Sequence, residues 1–95
     1  MQIKFQNIVF GGNMTIKVYT KDYCPYCDRA KQLLQQLGLD FEEVDLGTDQ
    51  DKILALVEKT GMRTLPQIFI ADKLIGGYSD LKVLVDSGKI QDLLK

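Results

Sequence analysis

Both cysteines of this 95-residue chain lie in one stretch, TKDYCPYCDRAK, at Cys24 and Cys27. Two sulfurs at that spacing could form a structural staple, supply half of a metal site, or cycle between dithiol and disulfide. Pro25 separates the possibilities, because proline is favoured at the first position of a helix. Cys24 is then expected at the N-cap and Cys27 one turn inside, on the same face as Ala30 and Leu34. Cys27 should be covered and Cys24 should sit at the exposed end. Three residues apart on a helix, the two Cα atoms fall about 5–6 Å from each other, within disulfide reach. The N-cap sulfur meets unpaired backbone N–H groups and the positive end of the helix dipole. Lys21 adds positive charge, while Asp22 and Asp28 oppose it. Surroundings of this kind bring a thiol from about 8.5 down into roughly 3.5–7.5. A sulfur so stabilised is chiefly a good leaving group, since its intrinsic nucleophilicity falls with its basicity. Cys24 is therefore expected to attack and be readily released, with Cys27 in reserve to resolve.

The competing chemistries are weaker. Tetrahedral zinc normally takes four protein ligands, and the chain has no histidine and no second cysteine pair, so no metal is expected. The absence of histidine also excludes hydrolysis by a Cys–His pair. A permanent disulfide would close only a tiny loop, and two buried cysteines acting as small hydrophobes remain as the blandest alternative.

The elements that must hold this pair are legible around it. IKVYT (16–20) alternates and is rich in β-formers, so it reads as a strand. Ala30, Leu33, Leu34 and Leu37 recur at helical spacing before Gly38, a natural stop. FEEVDL (41–46) reads as a second strand. Thr48 and Asp51 resemble a capping box opening a helix that turns Ile53, Leu56 and Val57 inward and ends at Gly61. LPQIFI (65–70) is a third strand with Pro66 at its start, where proline is tolerated. LIGG (74–77) makes a brief fourth. Ser79 can cap a helix carrying Leu81, Leu84 and Val85 to Gly88, and a last helical turn covers Ile90 to Leu94. The βαβ half requires a right-handed parallel crossover and the ββ half antiparallel pairing. One four-stranded mixed sheet flanked by helices, in the order βαβαββα plus a short C-terminal helix, satisfies both. This is an α/β domain over residues 14–95. Residues 1–13, ending in the linker-like Gly11-Gly12-Asn13, are expected to be a flexible extension; an added edge strand through Ile3, Phe5 and Val9 is the alternative.

Composition removes several classes of function. The 12 basic and 13 acidic side chains give a net charge of −1 and form no basic cluster, so no nucleic-acid partner is expected. No apolar run approaches the ~20 residues that span a bilayer, so no membrane role is expected. The first 13 residues lack the ~7–15-residue apolar stretch of an export signal, which makes a cytoplasmic, reducing location the expectation. A monomer is expected.

Three stretches together carry a family resemblance. Tyr23-Cys24-Pro25-Tyr26-Cys27 resembles the active site of the dithiol glutaredoxins, a family of thioredoxin-like fold. Arg63-Thr64-Leu65-Pro66-Gln67-Ile68-Phe69-Ile70 resembles that family's cis-proline segment and the strand after it. Ile75-Gly76-Gly77-Tyr78-Ser79-Asp80-Leu81 resembles its glycine pair and acidic turn. The resemblance implies a glutathione-dependent thiol–disulfide oxidoreductase that reduces protein–glutathione mixed disulfides with Cys24, and protein disulfides with Cys24 and Cys27. It implies glutathione as co-substrate, held by Lys21 at the glycine carboxylate, Tyr26 beside the sulfurs, and Thr64, Leu65 and Pro66 along the tripeptide backbone. Gly77, Ser79 and Asp80 would hold the γ-glutamyl end, and Arg63 could assist at the carboxylate. Glutathionylated or disulfide-bonded proteins, ribonucleotide reductase among them, are the implied partners. Leu65 stands where the family often has valine, and Tyr78 where many members carry a further cysteine. A thioredoxin-like reductase would favour Gly-Pro between the cysteines. A glutathione-bridged iron–sulfur dimer is disfavoured by Pro25.

Overall fold

The computed structural model describes residues 2–6 and 15–94. The elements run β1 (Gln2–Gln6), β2 (Ile16–Thr20), α1 (Pro25–Gln36), β3 (Phe41–Asp45), α2 (Gln50–Thr60), β4 (Gln67–Ile70), β5 (Lys73–Gly76), α3 (Tyr78–Asp86) and α4 (Ile90–Leu93). They build one mixed sheet in the order β1-β3-β2-β4-β5. β2 and β3 are parallel, joined across α1. β4 runs antiparallel to β2 and to β5. The expected four strands are present in the expected arrangement, and the sheet has one more. β1 lies antiparallel along β3, from Gln2 opposite Asp45 to Gln6 opposite Phe41. Of residues 1–13, only Gln2–Gln6 are described, and they pair with β3; Val9 and the glycine linker lie outside the described residues.

Alternation decides which side of each strand is buried. Ile16, Val18 and Thr20 of β2 point to one face and are buried, as are Phe41 of β3 and Ile68 and Ile70 of β4. α1 covers that face with Ala30 and Leu34, α3 with Leu81 and α4 with Ile90. On the other face Val44, Leu46 and Leu65 meet Leu56 of α2, with Tyr19 and Ile53 packed against them. Cys24 and Cys27 belong to this second, smaller cluster.

Several boundaries differ from expectation for identifiable reasons. Asp49, not Thr48, caps α2, and its carboxylate accepts from the Lys52 N–H at 3.1 Å. Either residue can cap, and the sequence offers Thr48-Asp49 side by side. Gly61 ends α2 as expected, in the left-handed conformation that suits glycine (φ 77°). β4 begins at Gln67 rather than Leu65. α3 begins at Tyr78 with Gly77 as its N-cap, so Ser79 lies inside the helix rather than at its cap.

Candidate active site

The site is built where β2 ends and α1 begins. Two backbone bonds fix that junction to the loop after β3: Leu46 N–H donates to Thr20 O at 2.8 Å, and Asp22 N–H donates to Gly47 O at 3.0 Å. Tyr23 then takes a positive φ of 55°, uncommon for a side chain of its size, and turns the chain into the helix. Cys24 is the N-cap in extended geometry and Pro25 opens the first turn. The Cys24 sulfur accepts from the Cys27 N–H at 3.2 Å. A helix N-terminus thus has one of its orphan donors aimed at the sulfur of Cys24. The two cysteines are disulfide-bonded, with Cα atoms 5.2 Å apart.

Burial corrects one expectation. Cys24 was expected at an exposed end, yet it retains only 9% of its accessible surface, against 1% for Cys27. Leu65 covers it, and its sulfur lies 3.6 Å from Leu65 O. The order of access is as expected, but the opening is narrow, so a partner must reach the sulfur between neighbouring walls.

One wall is the segment at Thr64, Leu65 and Pro66. The Leu65–Pro66 peptide is cis. Gln67, fully buried, donates its Nε2 to Met62 O at 2.8 Å and Thr64 O at 3.3 Å, pinning the segment from behind. The second wall is the turn into α3. Gly77 is buried, and a Cβ there would stand 3.1 Å from Met62 Cε and 3.6 Å from Pro66 O. A side chain there would meet Pro66 at ordinary contact distance and press on the flexible end of Met62, so the turn lies directly against the proline segment. Gly76 has φ +133°, a conformation that L side chains rarely adopt. The Asp80 carboxylate accepts from Gly77 N–H at 3.0 Å, while Ser79 and Asp80 themselves are exposed. Tyr26, 54% exposed, closes the groove against Tyr78, with ring centroids 5.8 Å apart, and Arg29 stacks 5.0 Å above the Tyr26 ring. Tyr78, standing where many family members carry a cysteine, thus completes an aromatic pair with Tyr26.

The fold thus brings Cys24 against Leu65, Gly77 near Pro66 and bonded to Asp80, and Tyr26 against Tyr78. Lys21 is exposed and lies on the other flank of the cysteines, where it lines a cavity of ≈ 440 Å³ together with Cys24, Cys27, Thr20, Glu43 and Lys31. Sequence reasoning overlooked Glu43, which is 3% exposed. The available signal was position: in FEEVD, the residue two after the inward Phe41 must also point inward. Among the described residues, no group of three or more His, Cys, Asp or Glu side chains could hold a metal ion.

The glutaredoxin family profile matches residues 16–75, a span that includes both cysteines and Leu65-Pro66. The chain belongs to the glutaredoxin family. A glutaredoxin of Pseudomonas aeruginosa is 43% identical over 79 residues, covering 83% of this chain and 94% of that protein. Glutaredoxin 3 of Escherichia coli K12 is 41% identical over 80 residues, covering 84% and 96%. Among solved structures, the solution structure of a Brucella melitensis glutaredoxin has a TM-score of 0.77 at 41% identity, covering 90% of this chain and 92% of that one. A buckwheat glutaredoxin–glutathione complex has a TM-score of 0.75 at 36% identity, covering 85% and 76%. Family and cysteine pair together make the chain a thiol–disulfide oxidoreductase with a thioredoxin-like fold.

Proposed function

We propose that this oxidoreductase uses glutathione as its reductant and acts on protein–glutathione mixed disulfides and on protein disulfides. The observation that carries the reading is the Cys24 sulfur at a helix N-cap, held by the Cys27 N–H at 3.2 Å, beside the backbone of Leu65, whose carbonyl lies 3.6 Å from that sulfur. A related buckwheat protein is solved as a complex with glutathione, which supports the same ligand here. Glutathione is a tripeptide with two carboxylates and one ammonium. Its backbone would pair with Leu65 as a short added strand. Its γ-glutamyl carboxylate would meet the N–H groups that open α3, and its ammonium the Asp80 carboxylate. Lys21 would take the glycine carboxylate, with Tyr26, Thr64 and Pro66 shaping the groove.

In the first reaction the Cys24 thiolate attacks the glutathione sulfur of a mixed disulfide. The protein thiolate leaves and takes a proton, and a glutathione thiolate then releases Cys24 as oxidised glutathione. In the second, Cys24 attacks a protein disulfide, Cys27 closes onto Cys24, and two glutathiones restore the dithiol. The working place would be a reducing cytoplasm. The test is turnover of a small glutathione mixed disulfide coupled to glutathione reductase, beside a thioredoxin-reductase control. Turnover with glutathione is expected; turnover with the thioredoxin system alone would refute the reading.

A further inference from the structure

The charged cavity on the β3 flank shares Lys21 and Cys24 with the glutathione reading, and it also reaches Cys27, the sulfur that must lose a proton late in the cycle. Its inner wall is Thr20, Cys27, Lys31 and Glu43. Glu43 is 3% exposed and occupies an inward position in the sheet where the neighbouring strands place Val18 and Ile68. The Thr20 hydroxyl donates to Glu43 Oε2 at 2.8 Å, and Lys31 Nζ lies 3.1 Å from the same oxygen. Lys31 also reaches outward to Asp28 Oδ1 at 3.8 Å. Lys31 follows Cys27 by one helical turn, so its stem and the Cys27 sulfur share one side of α1.

Burying a carboxylate carries a desolvation cost even when its partner, here Lys31, stays a quarter exposed, and an apolar side chain of similar volume often serves stability as well or better. A packing role therefore does not account for Glu43. Cys27 poses the complementary problem. At 1% exposure it is nearly covered, and this cavity is the space it lines; its thiol must become a thiolate before it can attack. The cavity, at ≈ 440 Å³, holds many times the ~30 Å³ share of one water. Its walls are polar enough to order such water.

We propose that Glu43 accepts the Cys27 proton, through water in this cavity, when the disulfide closes. The step balances. Cys27 begins as a thiol and Cys24 as a mixed disulfide with a leaving thiol. The proton passes from Cys27 through water to Glu43. The Cys27 electron pair attacks the Cys24 sulfur, the Cys24–leaving-group bond breaks, and the departing thiolate carries away two electrons. Thr20 and Lys31 orient the carboxylate. The charged groups around it are Asp28 and Lys31 from α1, Lys21 and Asp22 from the preceding loop and Asp45 from β3. The inference rests on the dithiol half of the function above and not on its glutathione half.

The test uses no glutathione. Reduced protein is mixed with one equivalent of dithiobis(nitrobenzoate), a chromogenic disulfide. Attack by Cys24 releases one coloured thiolate, and closure by Cys27 releases a second. The first phase, which needs Cys24 alone, is the internal reference. In Glu43→Gln the second phase is expected to slow relative to the first by on the order of a hundredfold, the lower range for a positioned general base. Its rate should also steepen towards tenfold per pH unit, as hydroxide takes over. Glu43→Asp, which keeps the carboxylate, should restore most of the rate. Equal slowing of both phases, equal slowing in both variants, or a second phase with the wild-type rate and pH profile in Glu43→Gln would each overturn the assignment.

Discussion

The two faces of the sheet are packed differently. Beneath α1, α3 and α4 lies a sulfur-free cluster of nine buried side chains, of which Val18, Ala30, Leu34, Ile68 and Leu81 have no accessible surface at all. Beneath α2 lies a cluster of six, two of them cysteines, whose members at Cys24 and Leu65 still keep 9% exposure. The first can be as tightly packed as an organic crystal because nothing in it has to move. The second must let a sulfur exchange partners, so it is smaller and open along one edge. Stability and reactivity are thereby placed in different clusters, the reactive one gathered where α1 begins, and each should be removable with limited damage to the other.

The largest separation is expected within the small cluster itself. Cys24→Ser should abolish both reductions, because no other sulfur stands at the N-cap. Cys27→Ser should abolish reduction of protein disulfides and spare removal of glutathione from mixed disulfides, which needs one sulfur. Both activities are read with the coupled assay. Ultraviolet absorbance of the reduced Cys27→Ser protein should show Cys24 ionising well below the ~8.5 of a free cysteine. Equal loss in the two variants, or ordinary ionisation of Cys24, would erase the distinction between attacking and resolving sulfur.

The next effect is on stability, and it distinguishes the two clusters directly. Leu34→Ala removes a side chain with no exposure from the large cluster. Such truncations cost about 2–5 kcal/mol, and the upper half is expected where the surroundings cannot collapse. Leu56→Ala removes one with 7% exposure from the open-edged cluster, where relaxation is easier, so about 2 kcal/mol is expected. Urea melts of the reduced proteins would measure both. If Leu56→Ala proved the costlier, the small cluster would be carrying stability as well as chemistry.

How much of this was legible in the sequence follows from what each feature depends on. Strand and helix identities rest on local periodicity, so IKVYT, QIFI and the Ala30–Leu34 stripe could be read directly. The N-cap position of Cys24 followed from Pro25 alone. The exposure of Cys24 was misjudged because its cover, Leu65, is 41 residues away, and no local pattern reports such a contact. The partners of Glu43 were hidden for the same reason: Thr20 and Lys31 meet it only after the βαβ crossover closes. β1 is hard to read because a strand whose partner edge is 35 or more residues away carries little signal in five residues.

The smallest effect is expected on the outer surface of α3, which belongs to neither cluster. Lys82 Nζ and Asp86 Oδ1 are 3.0 Å apart, four residues along the helix and open to solvent. The hydrogen bond and charge of Asp86 hold the Lys82 ammonium above its ordinary range. A folded-state value above the unfolded one means stabilisation that is complete below the unfolded value of ~10.4 and is lost as pH rises through the folded one. Lys82→Met should therefore lower the melting temperature slightly and equally from pH 6 to 9, with the difference from wild type vanishing in strong alkali. High salt should shrink it as well, since exposed pairs are screened. A melting change in Lys82→Met as large as that of Leu56→Ala would mean that α3 is held to the sheet by its charged face as much as by Leu81, and the division of labour between the two clusters would have to include the surface.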